Sequence, residues 1–298
     1  MNRKAFLLGS LAGLLAGCAS RPTTRIELPD PAAPPAGAPA GVRPRLALVL
    51  SGGSRRCFAH IGVLRVLERA GIEPDLVVGT SAGSIVGTLY AAGWSADAIE
   101  GDGTRLRLDQ LAGIGLPTLG LFDAFGLEDF VNERVGHRPI ESLPRRLCIV
   151  ATDLRDGEPM RFVRGNAGRA VRASCSIPGI LQPTWIAGVP YVDGGLSQPF
   201  PAETALEAGA RIVVGVNVIY DPVEMSPGNP LSVINKSLLI MIHRLAKLQS
   251  ALAHVLIAPQ LPPESEVTLA NRAAIIESGE RAAQAALPQL RELLEALS

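Results

Sequence analysis

Along the chain, apolar residues fall into two rhythms. Short apolar runs such as RLALVL (45–50) and DLVVG (75–79) read as buried strands. Between them, apolar positions from Phe58 to Ala70 recur at helical spacing and stop at Gly71, a residue suited to a helix C-terminus. A second helix is predicted over 82–92, closed by Gly93. Further strands are predicted at 145–154, 160–164, 211–219 and 254–259, with helices near 167–175, 201–208, 230–250 and 267–296. This alternation predicts an α/β fold, a three-layer α/β/α arrangement with a mostly parallel central sheet. In the segment 230–250, Leu231, Ile234, Leu238, Met241, Leu245 and Leu248 make one stripe at helical spacing. We read that stripe as a core-packing face in preference to a membrane-surface helix. Its apolar run between Lys236 and His243 is too short to span a bilayer.

The first 44 residues obey neither rhythm. Residues 1–18 carry Arg3 and Lys4, then an apolar run from Ala5 to Ala16, and end in Leu15-Ala16-Gly17-Cys18. That ending resembles the bacterial lipobox, which implies a lipoprotein signal peptide and lipidation of Cys18. Ala19 after it, rather than Asp, points to the outer membrane, with the chain on its periplasmic side. Residues 19–44 are rich in Pro, Ala and Gly, cannot build a packed core, and read as a tether. The folded domain is predicted over 45–298.

Composition narrows the function classes. A chain of 298 residues that is 47% hydrophobic can bury one sizeable core. Its formal net charge is zero and only 4% of its residues are aromatic, so neither a basic nor a base-stacking surface for nucleic acid is indicated. After Cys18 come Cys57, Cys148 and Cys175, an odd number with no metal-ligand spacing. They are expected to be small buried apolar residues, with neither a disulfide framework nor a zinc site indicated.

Three pieces carry chemistry. Gly79-Thr80-Ser81-Ala82-Gly83 is a G-x-S-x-G set at a strand end and before a helix, where a sharp turn lifts a serine hydroxyl clear of the sheet. A serine needs a base, and YVDGG places Asp193 at a strand end, with Gly194-Gly195 permitting a turn that exposes the carboxylate at the sheet rim. The stretch LSGGSRRCFAHIGVL (50–64) passes from strand through glycines into a helix, an arrangement that presents backbone N–H groups to negative charge. No Walker lysine follows those glycines, and their spacing is not that of a dinucleotide loop. A Ser–Asp–His order would be completed by His243 or His254, though these sit in patterns of helix surface and strand entry. His60 reads as helix packing, His137 as part of a loop, and Asp153 in ATDL as structural.

The glycine loop, GTSAG, RASCSIPGI (172–180) and YVDGG, in that order, resemble the patatin-like phospholipase family over roughly residues 45–290. The likeness extends to catalytic domains of the neuropathy-target-esterase kind. It implies a patatin-like fold and a serine acyl hydrolase with Ser81 as nucleophile and Asp193 as general base. Gly52, Gly53, Ser54 and Arg56 would form the oxyanion loop, and no cofactor would be needed. Phospholipid, lysophospholipid or other acyl esters are the implied substrates, and Arg55 is a candidate for a head-group phosphate. The family loop usually reads G-G-G-x-R-G, whereas this chain has Ser54 and Cys57 at two glycine positions. The alternative is a catalytically impaired relative that binds lipid or serves as a scaffold.

Overall fold

The computed structural model describes residues 45–103 and 120–297; the predicted leader with Cys18 and the 19–44 tether lie outside them. In chain order the strands are β1 (Leu46–Leu50), β2 (Leu76–Thr80), β3 (Gly120–Phe122), β4 (Arg146–Asp153), β5 (Pro159–Phe162), β6 (Gly179–Leu181), β7 (Thr184–Ile186), β8 (Val189–Val192), β9 (Ile212–Val216) and β10 (Val255–Ile257). The helices are α1 (Phe58–Arg69), α2 (Ala82–Ala91), α3 (Ala96–Gly103), α4 (Phe125–Arg134), α5 (Ala167–Ser174), α6 (Ala202–Glu207), α7 (Pro230–Ser250) and α8 (Arg272–Glu295).

The main sheet runs β10-β9-β1-β2-β4-β8-β7, with β5 also paired to β4, and β3 and β6 form a separate pair. From β10 to β4 every neighbour is parallel, and β8, β7 and β5 add antiparallel pairings. Because side chains alternate across a strand, β1 sends Leu46, Leu48 and Leu50 into one layer and Ala47 and Val49 into the other. The first layer holds α1, α2 and α8; the second is built on Phe200, Ala202, Ala205 and Ala246. All five β1 residues are buried, as expected of a central strand covered on both faces. The α/β/α expectation holds.

Helix α7 corrects the sequence reading. Leu231, Ile234, Met241 and Leu248, expected in the core, are 57%, 65%, 69% and 72% exposed. Only Ala246, Gln249 and Ser250, at the C-terminal end, are buried. There Gln249 fixes the helix, its Oε1 accepting from the Phe200 N–H at 3.1 Å and its Nε2 donating to the Ser197 carbonyl at 3.1 Å. Earlier turns cross a cavity instead of the sheet, so the inward positions are Asn235, Leu238, Leu239 and Ile242. The inward face is offset from the predicted stripe. Among the described residues no helix is long and apolar enough to cross a membrane.

Cys57, Cys148 and Cys175 are free thiols. Cys148 and Cys175 are buried as expected, while Cys57 is partly exposed. Burial pushes the Cys148 thiol up to about 12.

Candidate active site

β2 delivers the chain to Ser81 in a strained backbone conformation, φ 51° and ψ −129°, and α2 begins at the next residue. A positive φ on a non-glycine residue at a strand-to-helix turn is the geometry of a nucleophile elbow. The turn is tight because α2 enters against the end of β1: a Cβ on Gly83 would collide with the carbonyls of Leu50 and Ser51. Ser174, at the end of α5, braces it. Its Oγ accepts from the Ser81 N–H at 2.8 Å and donates to the Val150 carbonyl at 2.5 Å. Sequence reasoning assigned Ser174 no role, although it lies within the RASCSIPGI motif.

The hydroxyl of Ser81 donates to Asp193 Oδ2 at 2.7 Å. The other carboxylate oxygen, Oδ1, accepts from the Gly195 N–H at 2.7 Å, within the turn that follows β8. Asp193 is held from both sides of its backbone: its N–H donates to the Ser176 carbonyl, and its carbonyl accepts from Thr152 Oγ1, both at 2.9 Å. The carboxylate is not exposed at the sheet rim as expected; the residue is only 7% accessible. Burial raises its pKa from the ordinary 3.8 to about 6, against the opposing pull of the Gly195 N–H and the Ser81 hydroxyl. A carboxylate so placed is ionised at neutral pH and more basic than an exposed one.

The glycine loop passes close beneath this pair. A Cβ on Gly52 would lie 3.3 Å from that of Ser81. Gly52 itself is not an available oxyanion donor, because its N–H donates to the Pro199 carbonyl at 3.0 Å. The N–H groups of Gly53 and Ser54 take no partner among the described residues. Gly53 has φ 150°, and a Cβ there would sit 2.7 Å from Val218 Cγ2 and 2.8 Å from the Val218 carbonyl, so no other residue fits. Ser54 has φ 50°, in the left-handed region, where a glycine would be less strained. Cys57 has φ −58° and ψ −17°, an ordinary helical conformation that needs no glycine.

The two arginines part company. Arg56 is buried, its guanidinium 5.7 Å from the centroid of the Tyr220 ring, and it lines neither cavity beside Ser81. It packs over Tyr220, away from both cavities, and is not placed as an oxyanion donor. Arg55 lines both cavities. His60, expected to be simple helix packing, is fully buried with Nε2 donating to the Ser51 carbonyl at 3.0 Å. Burial lowers its pKa to about 4, so it stays neutral while fixing the residue before Gly52. Its position three residues into α1 was the only signal, and it was too weak to read.

Among the described residues, two cavities meet at Ser81. One, of about 730 Å³, is lined by Asp193, Gly53, Leu196 and the inward residues of α7. The other, of about 190 Å³, is lined by Phe58, Ala82, Ile85, Leu127, Cys175 and Leu181. The larger is of the size that encloses a small-molecule ligand, and apolar surface dominates both. Neither has a histidine in its walls. His254 Nδ1 accepts from the Val213 N–H at 3.0 Å, and His243 Nε2 lies 3.7 Å from Asp221 Oδ2, so neither completes a triad. Asp153 pairs with Arg155, whose hydrogen bonds lower its pKa. Among the described residues no cluster of three or more His, Cys, Asp or Glu side chains is arranged to hold a metal ion.

The model of the patatin-like phospholipase family matches residues 48–206, which include the glycine loop, Ser81, Ser174 and Asp193. The chain belongs to this family. Among patatin-like relatives, an uncharacterized NTE family protein of Mycobacterium tuberculosis is 33% identical over 194 residues, covering 61% of this chain and 52% of that one. Human patatin-like phospholipase domain-containing protein 6 is 32% identical over 237 residues, covering 72% of this chain and 17% of its own length. The chain therefore spans about half the length of the mycobacterial relative and a small part of the human one. Among solved structures, VipD from Legionella pneumophila aligns over 96% of this chain and 73% of its own, with 13% identity and a TM-score of 0.47. The type III effector ExoU aligns over 85% and 54%, with 14% identity and a TM-score of 0.45.

Proposed function

We propose that this patatin-like protein is a serine acyl hydrolase that cleaves lipid esters through an acyl-enzyme on Ser81, with Asp193 as general base. The observation that carries the reading is the 2.7 Å hydrogen bond from the strained Ser81 to a buried carboxylate, at the floor of an apolar cavity. In the first half-reaction Asp193 Oδ2 takes the hydroxyl proton as Ser81 Oγ bonds to the ester carbonyl carbon. The N–H groups of Gly53 and Ser54 stabilise the resulting oxyanion. Collapse breaks the bond to the alcohol oxygen, which leaves with the proton from Asp193. Water then attacks the acyl-enzyme, giving its proton to Asp193, and the fatty acid departs as Ser81 regains a proton.

The impaired-relative reading finds its motive in Ser54, which occupies a conformation better suited to glycine. Ser54 keeps its backbone N–H, however, and that is the group the chemistry needs. One experiment separates the two readings. The folded chain is treated with a fluorophosphonate and with a lysophospholipid. An adduct mapped to the peptide bearing Ser81, with release of fatty acid, supports the hydrolase; folded protein that neither labels nor releases fatty acid leaves the lipid-binding reading.

Two finer parts of the proposal have their own tests. The proposal that Arg55 meets a head-group phosphate is supported by its presence in the walls of both cavities. Arg55→Ala is expected to lower kcat/KM for a lysophospholipid about tenfold, the worth of one charge-assisted contact, and to change that for a neutral ester less than about twofold. Equal losses on both would remove Arg55 from that role. The segment ending at Cys18 is proposed to anchor the protein by lipid in the bacterial envelope, at the outer membrane. Incorporation of a fatty-acid probe in cells should therefore disappear in Cys18→Ser, and persistence of the probe would refute the anchor.

A further inference from the structure

The reaction just proposed forms a tetrahedral carbon with four substituents, and the walls around Ser81 assign a place to each. One is Ser81 Oγ. The oxyanion belongs at the loop, on the N–H groups of Gly53 and Ser54. The leaving oxygen must receive a proton, and the group placed to give it is the one that took it from Ser81. Asp193 Oδ2 lies 2.7 Å from Ser81 Oγ, so the leaving oxygen has to lie on the Asp193 side of the nucleophile.

That side is the cavity of about 730 Å³, which Asp193 lines together with Gly53, Leu196, Asn235 and Leu239. The cavity of about 190 Å³ also reaches Ser81, Ser54 and Arg55, but Asp193 is not in its walls. It lies between the N-terminal turns of α1 and α2 and the inner face of α4, through Phe58, Ile85 and Leu127. Once the oxyanion and leaving oxygen are placed, this smaller cavity is the remaining direction among the described residues, and its lining is almost wholly apolar.

We infer that the small cavity binds the acyl chain of the ester and the large cavity binds the alcohol part. The inference rests on the acyl-hydrolase reading and deepens it. Two specificities follow. The narrow chamber walled by Ile85, Leu127 and Leu181 limits acyl-chain length, because a chain that overruns it must leave methylenes in water or displace packed side chains. The large chamber carries polar groups such as Asn235 and Ser226 beside Leu238, Leu239 and Ile242. It accepts amphipathic alcohols of varied size, a lysophospholipid backbone among them.

The test uses two ester series. In the first the acyl chain grows from butyrate through octanoate and dodecanoate to palmitate on a fixed p-nitrophenol. In the second the acyl group stays butyrate while the alcohol lengthens from butanol to dodecanol. Narrowing the small chamber with Ile85→Phe or Leu127→Phe is expected to lower kcat/KM for the long acyl esters at least about tenfold relative to butyrate, and to leave the alcohol series in its wild-type order. Widening it with Leu127→Ala should favour the longer acyl chains, which guards against a narrowed variant that merely misfolds. Leu239→Phe, in the large chamber, should disturb the alcohol series and not the acyl series. The opposite pattern, with Leu239→Phe governing acyl length, overturns the partition while leaving the hydrolase intact. A wild-type chain that takes no fluorophosphonate and turns over neither series overturns both.

Discussion

Ser81→Ala is expected to lower lipid-ester hydrolysis by about 10⁵- to 10⁶-fold, the scale of loss when a nucleophile that acts as one unit with its base is removed. The reason is specific to this geometry. In the proposed mechanism Oγ forms the acyl-enzyme, and it is also the only side-chain partner of Asp193 Oδ2 among the described hydrogen bonds. Without it the carboxylate can only activate water on a site shaped for a seryl attack. The backbone should survive, because the Ser81 N–H bond to Ser174 and the path of β2 into α2 do not involve the hydroxyl. The check is kcat/KM for a lysophospholipid beside fluorophosphonate incorporation in the same preparation. Retention of more than about one part in a hundred of wild-type turnover would place the nucleophile elsewhere.

Asp193→Asn should cost about 10³- to 10⁴-fold in kcat, because the amide cannot take the proton. It should also stabilise the protein. Burial holds the Asp193 pKa at about 6, above its ordinary 3.8, so the folded state binds this proton more tightly than the unfolded one. The sign follows directly: the group favours folding most below pH 4, and that contribution is lost as the pH rises through about 6. The full difference corresponds to roughly 3 kcal/mol, an upper limit because asparagine gives up part of the hydrogen bonding. A gain of about 1–2 kcal/mol at neutral pH, or roughly 2–8 °C in Tm, is the expected result. The gap in Tm between the two proteins should open between pH 4 and 6 and stay level above pH 7. Wild-type labelling by fluorophosphonate should fall about tenfold for each pH unit below 6. A labelling rate flat down to pH 4 would contradict a base with a raised pKa.

The parts of the fold that were legible are those whose own residues dictate them. β1 and β2 are uninterrupted apolar runs, and α1 and α2 stop where Gly71 and Gly93 adopt positive φ. GTSAG and YVDGG pointed to the Ser81–Asp193 pair because each sets a reactive side chain among the small residues its turn requires. The strands β3 and β6 were not read, since each is three residues long and exists as a strand only by pairing with the other across more than fifty residues, and β7 was missed as a three-residue arm of a hairpin with β8. Ser174 bonds a backbone group 93 residues away and His60 one nine residues back across the loop, and neither contact is encoded in a local periodic pattern. The Gly52 N–H was misassigned because the direction of one peptide plane is set by Pro199, well over a hundred residues later. Helix α7 misled for a different reason: it is apolar on its cavity face and also along Ile234, Met241 and Leu248, so periodicity alone could not say which line turns inward.

The abutment behind the glycine loop comes from late in the chain. Val218 presses on Gly53, and its N–H is tied at 2.9 Å to Ser51 Oγ, in the residue that follows β1. The family match closes at residue 206, before β9 has begun. Recognition and operation therefore have different lengths. A chain cut at the end of the match would keep the loop, the serine and the aspartate in sequence, yet lose Val218, the wall against which Gly53 rests. The shortest chain expected to be active therefore runs past Val218, and through β10 as well, because the Asn217 N–H that leads into Val218 is held at 2.9 Å by the Ile257 carbonyl.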